Sequence, residues 1–492
     1  MGKESGKKTI WEHPFLSSFA KTEHVTMPEQ LIGYLIGPFG ALLSSGIFTS
    51  ILQNYFTDVM KLDLAFLTSL QLFSTILIVA ANLVVGQVIE RTHTLAGKAR
   101  PWILLSALTI SVTSVLMFIV PFEGTARLIW ITVAYILYYA VANPIYNTAN
   151  SVLVSLSTRR SDERGVLASM TNIAGLGVIS AGSMIFPILV SYALKDDQRL
   201  WAIAMLAVAI FSVLTIYLQF RFTRERVTEE TMKNNGPADH DGPAAPSVGR
   251  QLRAAAGEKS WWIVMIFYLF FQWSGALKNG SMTYYCKWVL DNSFFGSADA
   301  WGASQSLLAV LGAVPMAAAV FVINPLCRRY GKRLVCSVGM FLGAAGGAIA
   351  MAGSGNIVPV AVGIVLKCLG SAPTCFMILA ILADVIDHIE YKTGIRTDGL
   401  TMSVYSSILV AGTPIMNSAF SAILALTGYD QNASVSLGTA AQSSLTRNAI
   451  TLSYIGAETI AYALCGILIL FFTVEKNLPD EQAAIARRQE RA

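Results

Sequence analysis

The sequence predicts an all-helical polytopic membrane protein with twelve membrane-spanning helices in two groups of six. Hydrophobic residues make up 54% of the 492 residues and charged residues only 13%, about half the charged share that is usual in soluble proteins. Many apolar runs reach the roughly 20 residues that cross a bilayer as a helix. One long polar interruption divides these runs into six and six.

The apolar runs follow one another at short intervals. We expect spans 1 to 12 at residues 31–55, 64–89, 101–121, 126–156, 165–192, 199–221, 260–290, 303–326, 334–353, 357–389, 399–427 and 448–473. The interruption is charged and rich in Pro and Gly, which is typical of a linker with room for one amphipathic helix. The predicted domains are an N-terminal tail (1–30), a six-helix bundle (31–221), a central loop (222–259), a second six-helix bundle (260–473) and a C-terminal tail (474–492).

Lysine and arginine predict the orientation. Most of the 35 Lys and Arg residues fall in the N-terminal tail, in the loops after spans 2, 4, 6, 8 and 10, and in the C-terminal tail. The opposite loops and their edges hold few: Lys61, Arg127, Lys195, Arg199, Lys287 and Arg447. Because cytoplasmic loops carry an excess of positive charge, we expect both termini and the central loop to be cytoplasmic, in a cell's inner (cytoplasmic) membrane.

The two halves contain short matching segments. "GKARPW" begins at Gly97 after span 2, and "GKRLVC" begins at Gly331 after span 8. Gly165 in "ERGVLAS" and Gly399 in "TDGLTMS" open spans 5 and 11, and the two glycine pairs are separated by the same number of positions. The repeat and the count of six plus six predict a parallel duplication with pseudo-two-fold symmetry. This is the architecture of the major facilitator fold.

Three stretches resemble those of a known transporter family. The segments at 37–59 ("GPFGALLSSGIFTSILQNYFTDV"), 82–105 ("NLVVGQVIERTHTLAGKARPWILL") and 382–400 ("LADVIDHIEYKTGIRTDGL") are similar to parts of the glycoside–pentoside–hexuronide:cation symporters, the melibiose permease-like family. They correspond to span 1, the span 2–3 region and the span 10–11 loop. The likeness runs through most of the chain. It implies a major facilitator fold and a sugar-like solute.

Several acidic residues of that family have no counterpart here. The family's cation site uses aspartates of span 2 in a D-x-x-x-D pattern ahead of a glycine. If Gly86 is that glycine, Ile78 and Asn82 take the two places, and the acidic positions of spans 4 and 1 fall near Ala142 and Leu43. We find no Asp or Glu within expected spans 1–6. The usual sodium site is therefore expected to be missing, and Asn82 offers one neutral oxygen for coupling.

Three ionisable residues lie well inside expected spans: Lys278 in span 7, Lys367 in span 10 and Glu458 in span 12. Such residues are costly in lipid, so they face a cavity or a partner. Gly275 and Gly280 flank Lys278, which predicts a bent or locally unwound helix. Both lysines could contact the solute, and an electropositive cavity would favour a carboxylate such as that of a hexuronide. The alternative is a buried ion pair with Glu458, which is also a candidate proton carrier.

Polar side chains of spans 4, 5 and 7 are further candidate solute contacts. Asn143, Asn147 and Asn150 recur at the spacing of one helix face, one turn after Tyr139. Amides offer the donors and acceptors that sugar hydroxyls require, although asparagines also join helices to each other. The remaining candidates are Asn172 in span 5 and Trp273, Asn279 and Tyr285 in span 7.

The acidic stretch that ends span 10 is predicted to be a cytoplasmic gate. Asp384 and Asp387 share one helical face. Their expected partners are basic residues of the loop after span 4, including Arg164, or of the loops after spans 2 and 8. Arg396 lies in the loop after span 10 and completes the predicted gate. Ion pairs at this level would hold the cytoplasmic side shut and break when it opens.

Other classes of protein fit the sequence less well. There is no H-E-x-x-H, G-x-S-x-G or P-loop, and the five histidines lie outside or at the edge of the spans, so we expect no enzyme. An internal duplication favours alternating access over a channel. A major facilitator transporter of amphipathic compounds such as drugs, bile acids or lipids is the alternative function.

The expected partners are a small solute and membrane lipid. The energy source is open between proton symport, exchange and facilitated diffusion, and Glu458 and Asp384 are the candidate carriers of a coupling proton. We expect a monomer with no nucleic-acid partner, no cofactor and no metal. The six cysteines all lie in the second half without a C-x-x-C, which indicates buried thiols rather than a disulfide framework or a zinc site.

Overall fold

The computed structural model describes residues 17–489 apart from 93, 95, 159, 230–247, 396 and 477. Within this part of the chain, eleven helices are long and apolar enough to cross a membrane. A shorter apolar helix, Arg100–Leu116, occupies the place of expected span 3. Each of the twelve expected spans is therefore represented by a helix.

The spans keep their numbers. Span 1 runs from Glu29 to Leu52 and continues in a helical turn, Tyr55–Val59. Spans 2 to 6 are Leu64–Glu90, Arg100–Leu116, Gly124–Ile136 continued through Asn143–Ser157, Ser161–Leu189 and Gln198–Phe222. Spans 7 to 12 are Lys259–Trp288, Trp301–Tyr330, Lys332–Ala352, Ile357–Thr393, Asp398–Thr427 and Ser444–Leu470. A separate amphipathic helix, Val248–Ala256, precedes span 7.

Two details of the spans differ from the sequence-based expectations: the ends of span 1 and the local unwinding offered for span 7. Helical structure extends on both sides of the expected 31–55: Glu29 begins span 1, and Asp58 lies in the helical turn that follows it, with both side chains buried. Span 7 is a continuous helix through Gly275 and Gly280, without local unwinding. Gly280 instead permits a close approach, since a Cβ there would lie 2.3 Å from the Asn417 Oδ1.

The chain divides into two compact units. Unit 1 comprises residues 1–48, 73–186 and 196–240, and unit 2 comprises 49–72, 187–195 and 241–492. In unit 1, spans 1 and 6 approach so closely that a Cβ on Gly40 would lie 2.3 Å from the Ser212 Cα. The Ser212 hydroxyl donates to the Gly40 carbonyl at 2.9 Å, and the Gly40 N–H donates to the Thr215 hydroxyl at 3.1 Å. Small residues at a crossing allow this backbone contact between membrane helices.

Unit 2 is built around an apolar core formed by spans 7, 9, 10, 11 and 12, with Phe267, Met340 and Ile381 among its buried members. Spans 9 and 10 touch through glycine, because a Cβ on Gly370 would lie 2.4 Å from the Gly339 carbonyl oxygen. Many large apolar side chains on the outer helix faces remain exposed, which is what a lipid environment requires.

The same turn follows span 2 and span 8. Gly97 and Gly331 both have positive φ, at 113° and 85°, where an L side chain would be strained. The Glu225 carboxylate accepts the N–H groups of Lys98, Ala99 and Arg100 at 2.7–2.8 Å. In the corresponding turn of unit 2, a glutamate carboxylate also accepts backbone N–H groups.

Glu475 accepts the N–H groups of Lys332 and Arg333 at 2.6 and 3.0 Å. In each half, an acidic residue that follows the last span therefore caps the third helix of that half and complements its positive end. The sequence repeat at Gly97 and Gly331 corresponds to a repeated local structure.

Candidate functional site

The charged residues of spans 7, 10 and 12 meet in one cluster, which we call the charge triad: Lys278, Lys367 and Glu458. The Lys367 Nζ lies 2.5 Å from one Glu458 carboxylate oxygen, and the Lys278 Nζ lies 3.2 Å from the other. The Tyr462 hydroxyl donates to Glu458 at 2.9 Å. The predicted alternative of an ion pair with Glu458 is thus present, and it involves both lysines at once.

The triad differs in exposure from one member to the next. Glu458 and Lys367 are only 1% and 4% exposed, whereas 28% of the Lys278 side chain is accessible. With two ammonium groups and one carboxylate, the cluster has a formal charge of +1. Lys278 is therefore the member that an incoming group can reach.

A widened turn of span 12 adjoins the triad. Leu452–Gly456 is π-helical and ends two residues before Glu458. The Lys367 Nζ lies 3.5 Å from the Ile455 carbonyl in that turn. Single π-helical turns within α-helices are frequent at functional sites.

The other span 7 candidates, Trp273, Asn279 and Tyr285, differ in their burial and in their contacts with neighbouring helices. The Trp273 indole donates to the Ile408 carbonyl at 3.1 Å. Tyr285 is fully buried. Its hydroxyl donates to the Ser354 carbonyl, and the centroid of its ring lies 4.5 Å from that of Tyr454, on which it stacks. Asn279 is exposed.

The asparagines of span 4, Asn143, Asn147 and Asn150, do not form one exposed surface. Asn147 is exposed and donates to the side chain of Asn143. Asn150 is buried and accepts from the Gln219 amide of span 6 at 2.7 Å, so it joins two helices. Tyr139 lies in the π-helical turn Leu137–Ala142 and packs on Tyr135 and Tyr138.

The side-chain positions of three predicted residues lie outside the described part of the structure. Asn172 and Arg164 lie in the helix Ser161–Leu189, but their side chains are outside the described part of the structure. Arg396 lies outside the described residues altogether. Asn82 is half-buried, and its amide donates to the Ile78 carbonyl of its own helix at 2.8 Å.

Unit 2 contains a second buried ion pair that sequence reasoning missed. The Lys287 Nζ lies 2.5 Å from the Asp58 carboxylate, with both side chains under 10% exposed. Asp58 also accepts from Asn54, Thr57 and Tyr429 at 2.7–2.8 Å. From the sequence, Lys287 was grouped with the loops and their edges, and span 1 was expected to end at residue 55, before Asp58. The signal that was overlooked is the helix-compatible sequence around Asp58, which lets the first helix continue beyond residue 55.

The acidic end of span 10 pairs within its own unit. The Lys332 Nζ lies 2.5 Å from the Asp384 carboxylate. Lys332 is the first residue of span 9, and the expected bounds placed it in the loop after span 8, one of the predicted sources of a partner. Further along the helix, His388 contacts Glu481 at 2.8 Å and Lys392 contacts Glu258 at 3.0 Å. Asp387 also takes part in an interaction.

Across the described residues, no group of three or more His, Cys, Asp or Glu is arranged to hold a metal ion. Four of the cysteines are buried, and Cys368 and Cys375 of span 10 are half-buried.

Comparison with known proteins gives the family. The family described as "MFS/sugar transport protein" matches residues 33–476. The isoprimeverose transporter of Lactiplantibacillus pentosus is 28% identical over 468 residues, covering 92% of this chain and 90% of that protein. The glucuronide carrier protein homolog of Escherichia coli K12 is 24% identical and covers 82% and 84%.

Solved structures of other transporters share the fold. A bacterial homolog of the human lysosomal transporter Spinster, in an inward-facing and unoccupied conformation, aligns with a TM-score of 0.63 at 12% identity, covering 92% of this chain and 97% of that one. The nucleoside transporter NupG aligns with a TM-score of 0.60 at 13% identity, covering 91% and 100%. With a family match over most of its length and the fold of these transporters, this chain belongs to the MFS/sugar transport protein family.

Proposed function

We propose that this protein is a secondary transporter that moves a small polar solute of the sugar, glycoside or hexuronide class across the cytoplasmic membrane by alternating access. The family match over residues 33–476 carries this proposal. The isoprimeverose transporter and the glucuronide carrier homolog, each similar over more than four fifths of the chain, support the same class of solute.

The charge triad supports a solute that bears an acid group. Its two lysines share one carboxylate, and a lone positive charge inside a span is costly. A carboxylate on the solute would offset this charge through Lys278, the accessible member. Trp273, Asn279, Asn143 and Asn147 are proposed contacts for the neutral part of the solute.

Coupling is proposed to be independent of sodium. Asn82 stands where the resembling family has an aspartate, and its amide group is directed to its own helix. Glu458 is the candidate for carrying a proton, because it is the carboxylate that both lysines of the triad contact.

Counterflow into proteoliposomes tests the solute and the coupling together. We expect glucuronate or galacturonate to compete more strongly than glucose or galactose, with uptake unchanged when sodium is replaced by choline. Equal competition by acids and neutral sugars would refute the acid-group proposal. Transport of drugs or bile acids in place of sugars would favour the amphipathic alternative, and strict dependence on sodium would refute the coupling proposal.

The cytoplasmic gate remains a proposal that involves Arg164, Asp384, Asp387 and Arg396. The Lys332–Asp384 contact supports a role for Asp384 in ordering this end of span 10. We expect Asp384→Asn to shift the balance towards inward-open states while solute binding persists, as measured by cysteine accessibility and binding calorimetry. Loss of binding in a folded Asp384→Asn variant would contradict the gate.

We further propose that the protein works as a monomer in the inner membrane, with both termini in the cytoplasm and with no nucleic-acid partner. The distribution of lysine and arginine supports this orientation. Proteolysis of the termini in sealed inside-out vesicles, but not in right-side-out vesicles, is the expected result.

A further inference from the structure

A groove on the outer surface of unit 2 lies between spans 8, 9 and 10. It has a volume of about 460 Å³ and an almost wholly apolar lining. Small residues such as Ala318, Ala319 and Gly339 form part of it, and larger side chains such as Val322 and Val338, 57% and 59% exposed, form its walls. The groove exists because small side chains lie between large ones.

The groove continues around the turn between spans 8 and 9. A second recess of about 380 Å³ shares Tyr330 and Leu334 with it and is also lined by Arg333 and Glu475. From Tyr330 to Ala318 the groove follows span 8 for about 18 Å at 1.5 Å per residue. This is close to the roughly 15 Å of hydrocarbon in one leaflet of a bilayer about 30 Å thick.

Arginines are concentrated where the groove reaches the turn. Arg328 and Arg329 are exposed and Arg333 is half-buried, and the Arg329 guanidinium lies 5.3 Å from the Tyr330 ring. Among the described residues, the ion pairs include none to these three arginines. The nearby acids are already engaged, because Glu475 caps span 9 and Asp384 binds Lys332.

We propose that this groove is a binding site for an anionic phospholipid. One acyl chain lies in the apolar groove, and the phosphate headgroup contacts Arg328, Arg329 and Arg333 at the turn. A neutral lipid would fill the groove but would leave the three guanidinium groups without a counter-charge. The groove is about as long as one leaflet is thick, and three arginines lie at its end. This arrangement favours a lipid with an acidic headgroup.

Native mass spectrometry of the full-length protein in detergent tests the site, with phosphatidylglycerol and phosphatidylcholine as probes. We expect phosphatidylglycerol to be retained preferentially. Arg328→Gln/Arg329→Gln should weaken its binding by on the order of fivefold for each arginine, the effect of one basic residue at an anionic surface. The matched control is Arg250→Gln/Arg253→Gln, which removes two exposed arginines of the amphipathic helix before span 7 and should leave binding unchanged.

A second pair of variants tests the groove without changing charge. Ala318→Phe fills the groove and should reduce phosphatidylglycerol retention, whereas Ala317→Phe, at an exposed neighbour outside the lining, should not. Equal retention of the two lipids would overturn the proposal, as would equal losses in the two arginine double variants. Equal losses in the two alanine variants, or displacement of the lipid by inorganic phosphate alone, would also overturn it. The readout is lipid retention and does not depend on transport.

Discussion

Residues Lys278, Lys367 and Glu458 show what a charge inside the membrane requires. Each has an opposite charge within 3.2 Å, but two cations share one anion. The sequence showed these three residues and offered the ion pair as an alternative, because lone charges in spans are rare. It could not show that both lysines reach one carboxylate, since that depends on how three helices are rotated.

The triad predicts an asymmetric response to neutralisation. Glu458→Gln removes the carboxylate from the buried Lys367 and the partly accessible Lys278, and should lower the free energy of unfolding by about 3–5 kcal/mol. Lys278→Met leaves the neutral Lys367–Glu458 pair, so the protein should fold. Its transport of acid-bearing solutes should fall by about tenfold or more, since a hydrogen bond to a charged group contributes about 1.5–3 kcal/mol.

Thermal unfolding in detergent and uptake of an acidic and a neutral sugar are the measurements. Lys278→Arg is the matched control, because it keeps the charge and should keep much of the discrimination between the two sugars. Equal loss of both sugars in Lys278→Met would indicate that the lysine only supports the structure.

The Asp58–Lys287 pair predicts a second effect on stability. Removing one partner from a buried pair costs about 3–5 kcal/mol, so Asp58→Asn and Lys287→Met should each destabilise the protein. In the double variant no lone charge remains, and the amide oxygen still accepts from Tyr429 or Thr57. The double variant should therefore unfold at a higher temperature than either single variant; if the two losses simply add, the charges are not coupled.

At the scale of elements, hydrophobic runs were enough to find the twelve helices but not where they end. The expected span 1 ended at residue 55, which left Asp58 outside it. In the folded chain its contacts with Lys287 and Tyr429 allow it to be buried in the helical turn that follows span 1. Helix ends are set by tertiary partners of this kind, which a single sequence does not display.

The two glutamate caps predict graded effects on their helices. Glu225 accepts three backbone N–H groups and Glu475 accepts two. Loss of a cap costs about 0.5–2 kcal/mol, so both Glu→Ala variants should lower the unfolding temperature, with Glu225→Ala the more severe. Glutamine retains an acceptor, and each Glu→Gln variant should lose less. Unfolding at the wild-type temperature in Glu475→Ala would show that water replaces the cap.

At the scale of the whole molecule, composition and periodicity predicted the class of fold, and the repeated glycines at 97 and 331 predicted its internal duplication. The solute contacts were harder to predict. The regular spacing of the span 4 asparagines suggested that all of them contact the solute. In the structure, Asn150 binds Gln219, whereas Asn147 is exposed. Periodicity identifies a helix face but not what lies opposite it.

The uneven distribution of cysteine offers a practical way to watch this transporter work. Cys286 is the first cysteine of the chain, so a fluorescent or spin probe can be attached anywhere in the first half without competing thiols there. Cys368 adjoins Lys367 and, like Cys375, is half-buried. These two native thiols can serve as reporters of water at the charge triad. Their rate of alkylation by a small maleimide would record how often the interior is wetted, and a bound solute would slow it.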